Sequence, residues 1–230
     1  MIRFVLALML SVLPALASAE ERHVGLGSFD RVRINGAFEV TIATGSPGAT
    51  VIADRSTIGD IDLHAEGATL TVRRNTTGRW SEQPQAANAA PIRILLTTPR
   101  LSAITVVGSS RVTVAALTGT RIDLAAGGAG AITVASVQGD QLAVQLVGDG
   151  KVSVAGRVAT ARLIANGAGA IDAAGLDAGD VTAHLDGLGT IAARARFTAQ
   201  VTSTGLGTVT ITGHPKCRVT ADAGAPVTCG

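Results

Sequence analysis

Six short glycine-centred phrases recur along the second half of the chain, and their spacing restricts the fold more than any other feature. They are Gly108-Ser109-Ser110-Arg111-Val112, Gly128-Ala129-Gly130-Ala131-Ile132, Gly148-Asp149-Gly150-Lys151-Val152, Gly167-Ala168-Gly169-Ala170-Ile171, Gly187-Leu188-Gly189-Thr190-Ile191 and Gly205-Leu206-Gly207-Thr208-Val209. From one closing aliphatic residue to the next the steps are 20, 20, 19, 20 and 18 residues. A fixed period of this length is the signature of stacked repeats, each contributing one layer to a continuous core.

The flanks of each glycine agree. Four positions before it stand Ile104, Leu124, Val144, Leu163, Ala183 and Val201; two before it stand Val106, Ala126, Leu146, Ala165, Leu185 and Ser203. Four after it come Val112, Ile132, Val152, Ile171, Ile191 and Val209, and six after it Val114, Val134, Val154, Ala173, Ala193 and Ile211. Both flanks alternate with period two, so each is a short strand with one buried face, and these four columns are the expected core. Intervening residues such as Thr105, Gln145, His184, Arg111, Lys151 and Thr133 face solvent. The glycine supplies the backbone freedom of a sharp corner. An antiparallel sandwich does not need the same residue type at the same phase every 20 residues, whereas in-register coils do. The expected fold is all-β: a right-handed parallel β-helix, the hand following from the bias of parallel crossovers. Six coils spaced about 4.8 Å apart span roughly 29 Å.

Composition fits this reading. The chain has 28 Gly, four Phe, one Trp and no Tyr; thin layers of Ala, Val, Ile and Leu do not need aromatics to fill volume. At the N-terminus, Arg3, the apolar run from Phe4 to Leu13, and Ala17-Ser18-Ala19 have the pattern of a secretory signal peptide over residues 1–19. The run is too short for a permanent membrane helix, which takes about 20 apolar residues. The mature chain is then expected to begin at Glu20 and to form a single β-solenoid domain over 20–230. Its mature part has no transmembrane stretch. The formal charge of +2 is scattered rather than striped, so the electrostatic footprint of nucleic-acid binding is missing.

The only cysteines are Cys217 and Cys229. In an oxidising compartment an isolated pair forms a disulfide, and the 11-residue gap lacks the tight spacing of zinc sites. The expected division is irregular coils and a cap over 22–106, regular coils over 107–213, and a disulfide-closed tail over 214–230. Val32-Arg33-Ile34, Phe38 to Ile42, Thr50-Val51-Ile52 and Leu70-Thr71-Val72 alternate as strands within the irregular part. A separate N-terminal sandwich is the alternative there. Thr76 to Ala90, with Trp80, reads as a long surface loop.

Phe29 to Ile34, Gly36, Phe38 to Ile42, Ala68 to Val72 and the phrase from Pro99 to Ser109 together resemble the DUF2807 family, the putative auto-transporter adhesin head GIN domain. The resemblance covers nearly the whole mature chain, although the tripeptide Gly-Ile-Asn is not present and Ile34-Asn35-Gly36 is the nearest phrase. It implies a β-helical extracytoplasmic domain and transfers no catalytic residue. An autotransporter barrel would need many further strands of about ten residues, for which this chain has no room.

Because β-helices also carry polysaccharide lyases and hydrolases, clustered carboxylates and Arg or Lys are the features to seek. Asn166, Asp186 and Thr204 each precede the corner glycine and would stack as a polar ladder; the plain reading is side chains bonding corner backbone amides. Asp149, Lys151 and Asp172 form a second, unspecific group. Asp177 and Asp180 lack the nonapeptide context of a calcium loop. His23, His64, His184 and His214 are scattered, and no G-x-S-x-G elbow is present. No catalytic residue, metal ligand or cofactor is assigned. The expectation is an exported, non-catalytic adhesion or envelope interaction module, periplasmic or on the cell surface, whose partner is a protein or glycan. A polysaccharide-processing enzyme and a structural protein that self-associates end to end are the alternatives.

Overall fold

A computed structural model describes residues 19–75, 91–222 and 224–230. The strands before the regular repeats are β1 (Ala19–Gly25), β2 (Arg31–Gly36), β3 (Glu39–Thr44), β4 (Gly48–Asp54), β5 (Ile61–Glu66), β6 (Thr69–Arg74), β7 (Arg93–Thr98), β8 (Ala103–Gly108) and β9 (Arg111–Val114). Longer strands then run around the corners: β10 (Leu117–Gly128), β11 (Ala131–Val147), β12 (Lys151–Gly167), β13 (Ala170–Gly187) and β14 (Thr190–Thr204). The chain ends with β15 (Thr208–Thr212), β16 (Lys216–Ala221) and β17 (Val227–Cys229). One short 3-10 turn, Ile58–Asp60, interrupts them, and no described helix is long and apolar enough to cross a membrane.

Successive coils pair in parallel and in register. Leu124 lies opposite Val144, Val144 opposite Leu163, Leu163 opposite Ala183, and Ala183 opposite Val201. The sheet curls into a β-solenoid of about six turns. Every residue of the four columns is buried, none more than 3% exposed. Burying one leucine of such a column stabilises the fold by about 1.5–3 kcal/mol. Sequence analysis missed a fifth column six positions before the glycine, Ile122, Leu142, Ala161, Val181 and Ala199, also buried. On the remaining side Leu117, Val137, Val158 and Leu176 point inward, but the pairing register slips between Val134 and Val137, Ser153 and Ala155, and Ala173 and Asp177. These irregularities absorb the variation in repeat length and leave the two glycine-flanking strands in phase.

The corner explains why glycine recurs. Gly167 has φ +117°, and a Cβ there would sit 2.7 Å from the carbonyl oxygen of Gly148 in the preceding coil. Both the dihedral and the close stacking exclude a side chain. In the first regular coil Ser110 takes the place of the second glycine. Its buried hydroxyl donates to the Gly36 carbonyl at 2.9 Å and accepts from the Phe38 amide at 3.1 Å.

The N-terminal strands join the same stack, out of sequence order. β2 lies against β8, with Val32 opposite Ile104 and Ile34 opposite Val106. β3 lies against β9, with Val40 opposite Val112 and Ile42 opposite Val114. On their other sides β2 and β3 carry β6 and β7, also parallel. The outermost strands reverse: β5 pairs antiparallel with β6, β4 with β7, and β1 with β4. The expected loop over residues 76–90, with Trp80, lies outside the described residues.

At the other end the ladder does not stop at Gly213. β16 continues β14 with Val219 opposite Val201, and β17 continues β15 with Val227 opposite Val209. Cys217 lies opposite Ala199 and Cys229 opposite Ile211, so the Cys217–Cys229 disulfide, with 6.2 Å between Cα atoms, joins two inner columns across the end of the core. The tail is therefore a further layer over the last coil, with its own strand edge. Val219, Val227 and Cys229 repeat the columns of Val201, Val209 and Ile211 at a step of 18. That signal was obscured because alanine replaces both corner glycines, at 223 and 225.

Candidate functional site

The corner strand before each glycine places one outward residue immediately ahead of the turn. Register brings Asn166 opposite Asp186 and Asp186 opposite Thr204, so the expected ladder exists, one residue per coil. Its bonding differs from the expected corner-amide pattern. The Thr204 hydroxyl reaches an Asp186 carboxylate oxygen at 3.3 Å and the Leu185 carbonyl at 3.5 Å. The coil spacing sets side chain against side chain, and a threonine one rung above a carboxylate can donate to it directly. Toward the N-terminus the same column runs through Val147, Gly127, Val107 and Asn35, and toward the C-terminus Asp222 follows Thr204, so the contiguous polar rungs run from Asn166 to Asp222.

Sequence analysis overlooked the residue just beyond that glycine. Leu188 and Leu206 occupy this corner on consecutive coils, and each is 68% exposed. Isolated exposed leucines are ordinary on protein surfaces; two in the same place on adjacent layers, beside Asp186 and Thr204, make a short amphipathic ridge. The signal was visible as Gly-Leu-Gly in two successive repeats, against Gly-Ala-Gly in two earlier ones.

The other titratable groups are held in separate arrangements. Asp177 bridges two coils, with Arg157 at 3.1 Å and Arg196 at 3.4 Å, and Arg196 lies 5.1 Å from the ring centroid of exposed Phe197. Glu39 similarly joins Arg93 at 3.3 Å and Arg111 at 3.5 Å. Such exposed pairs contribute little stability, of order 0–1 kcal/mol each. Asp180 accepts the Thr198 hydroxyl at 2.5 Å. Asp149 and Asp172 are not brought onto one rung: Asp149 sits at the glycine corner, while Asp172 lies opposite Ser153 and accepts from the Ala174 amide at 3.3 Å. Asp186, hydrogen-bonded to one hydroxyl, is separated by the Thr204 rung from the next carboxylate of its column, Asp222, whose amide donates to the Ser203 carbonyl at 3.1 Å. It can accept hydrogen bonds from a ligand, but general acid–base work on a glycosidic bond takes a pair. Among the described residues no group of three or more His, Cys, Asp or Glu is placed to hold a metal ion. A pocket of about 130 Å³ lies at the junction of the N-terminal and regular coils, where Ile42, Thr98, Arg100, Leu101 and Thr118 contribute to its walls.

The solved structures that this chain resembles have the same fold. A putative adhesin from Bacteroides fragilis NCTC 9343 superposes with a TM-score of 0.85 at 20% identity, covering 93% of this chain and 97% of that one. A "putative lipid binding protein" from Parabacteroides distasonis ATCC 8503 gives 0.71 at 18% identity, covering 92% and 96%. A putative adhesin from Parabacteroides merdae ATCC 43184 gives 0.69 at 14% identity, with 92% and 96% covered. No curated protein matches the sequence. The family model described as "Putative auto-transporter adhesin, head GIN domain", DUF2807, matches residues 28–215, and the chain belongs to that family.

Proposed function

We propose that this chain is exported, matures at Glu20, and acts as a non-catalytic adhesion or interaction module of the cell envelope, binding a protein or glycan partner. The observation that carries the reading is the ridge at the glycine corner. Leu188 and Leu206 stand 68% exposed on adjacent coils, with Asp186 and Thr204 beside them on a rigid parallel sheet. A rigid scaffold presenting apolar side chains next to a hydrogen-bonding group is how binding surfaces gain affinity without ordering themselves on contact. Membership of a family described as adhesin heads supports it, as does the signal-like start of the sequence.

The test immobilises the mature chain, residues 20–230, and measures retention of envelope and extracellular-matrix fractions. Leu188→Asp/Leu206→Asp is the comparison, with its fold checked by circular dichroism. Retention falling tenfold or more in the variant supports the ridge as the contact. Equal retention by both proteins removes it. New reducing ends or unsaturated sugars released from polysaccharides by the wild type would replace this reading with the enzymatic one.

A further inference from the structure

The two ends of the solenoid carry opposite charge on the free edges of the same sheet. Among the described residues, β5 pairs only with β6, and β16 only with β14. They are the first and last strands of one stack, β5-β6-β2-β8-β10-β11-β12-β13-β14-β16. The strands that edge the N-terminal end, β1 and β5, carry four carboxylates, Glu20, Glu21, Asp62 and Glu66, against one arginine, Arg22; Glu20 pairs with Arg55 at 3.3 Å and Asp62 with Arg73 at 2.8 Å, so Glu66 is the β5 carboxylate outside those pairs. The strands that edge the C-terminal end, β16 and β17, carry Lys216 and Arg218 and no carboxylate; the nearest acid is Asp222 in the turn between them.

We propose that the protein associates head to tail with a second copy of itself, β16 of one molecule adding to β5 of the next. The strand directions allow it. β16 runs parallel to β2 and β6 through the stack, and β5 runs antiparallel to β6, so two molecules translated along the solenoid axis meet as an antiparallel pair. The register opposing Lys216 to Glu66 sets Val219 against Leu63, Cys217 against Ala65 and Arg218 against His64, with Arg218 diagonal to Glu66 and to Asp62, which Arg73 also holds at 2.8 Å. Opposite charges facing or diagonal on one face favour such a pair. The inward positions match as well. Val219 is 44% exposed at the open end, while Val24, Leu26 and Leu63 are only partly buried at the other, so contact continues the core columns from one molecule into the next.

A strand edge protected against pairing points a charge inward. Here the inward residues of β16 are Cys217, Val219 and Ala221, which lie opposite the buried Ala199, Val201 and Ser203. The charges lie on the outward side, where they select a partner without blocking it. Because head and tail are different surfaces, the contact is heterologous and builds open chains rather than closed dimers. It is independent of what the corner ridge binds.

The experiment is sedimentation velocity on the mature chain, residues 20–230, at low and high salt. Concentration-dependent dimers and longer species at low salt, reduced at least tenfold in association constant near 1 M salt, are expected, since screening shortens the electrostatic range to about 3 Å. Lys216→Glu/Arg218→Glu alone and Glu66→Lys alone are each expected to be monomeric. Mixed, they should associate again, because each then offers an end complementary to the other. All substituted residues are exposed, and thermal melts confirm that the variants fold. A wild type that stays monomeric at low salt would show that Lys216 and Arg218 instead guard the edge. Association indifferent to both variants would equally overturn the contact.

Discussion

Two buried serines make a prediction in which one substitution has opposite signs. Ser110 and Ser203 are 0% and 1% exposed. Ser110 accepts from the Phe38 amide at 3.1 Å and donates to the Gly36 carbonyl at 2.9 Å, whereas the Ser203 hydroxyl has no hydrogen-bond partner among the described residues. Replacing Ser110 with alanine orphans the buried Phe38 amide; the Gly36 carbonyl keeps the Ser109 amide at 3.1 Å. One orphaned buried donor destabilises by about 1–3 kcal/mol. Replacing Ser203 with alanine removes a desolvated hydroxyl from a column whose other members include Ala126 and Ala165. The penalty it carries is of the same size, about 1–3 kcal/mol. The alanine variants should therefore straddle the wild type, separated by about 2–6 kcal/mol. For a chain of this size each kcal/mol shifts Tm by about 2–4 °C, so a total separation of at least about 4 °C is expected by calorimetry. Ser203→Ala melting below the wild type, or Ser110→Ala melting at or above it, would refute the assignment of unmet and met hydrogen bonds.

Gly167→Ala, forced into φ +117° and against the Gly148 carbonyl, should destabilise by about 2–3 kcal/mol, whereas Ala168→Ser next to it should leave the urea midpoint unchanged. Reducing the Cys217–Cys229 bond should lower stability by roughly 2–3 kcal/mol, with hydrogen exchange accelerated first in β16 and β17. Asp177→Asn should lower stability by less than about 2 kcal/mol, at most about 1 kcal/mol for each of its two arginine pairs, read from urea unfolding. Edman degradation of the exported protein should read Glu-Glu-Arg-His; a product retaining Phe4 would contradict cleavage after Ala19.

The regular coils were legible because one buried pattern is repeated in phase. Ile132, Val152 and Ile171 need only be aligned to be recognised as neighbours, and the glycines mark the corners that put them there. What escaped was whatever lacks the glycine mark. Cys217 and Cys229 read as a pair, but Val219 and Val227 were not seen as the next rung because alanine stands at both corner positions, 223 and 225. The fifth column, Ile122 to Ala199, adjoins the side where register slips, so its spacing to the preceding segment is not fixed. At the N-terminus, Val32 and Ile34 carry the right alternation, but their partners Ile104 and Val106 are 72 residues away, and no period announces a partner at that distance. The polar ladder was found because its members share a phase with the glycine. The leucine ridge shares that phase too and was passed over because sequence alone does not distinguish an exposed leucine from a buried one.

The same 72-residue separation gives the molecule a history. Each coil after residue 124 finds its template about 20 residues behind it, already made. β2 and β3 are made first, yet they wait for residues 103–114 on one side and for β6 and β7 on the other. Closing the longer loop costs only about 1 kcal/mol more than closing a 20-residue one. The larger effect is time, since non-local pairings form slowly and leave strands exposed. A chain halted near residue 100 has Val32, Ile34, Val40 and Ile42 without half of their neighbours, and unpaired strand edges of that kind are prone to aggregate. Once β8 and β9 emerge, the start of the chain is sealed, and everything after it grows one rung at a time.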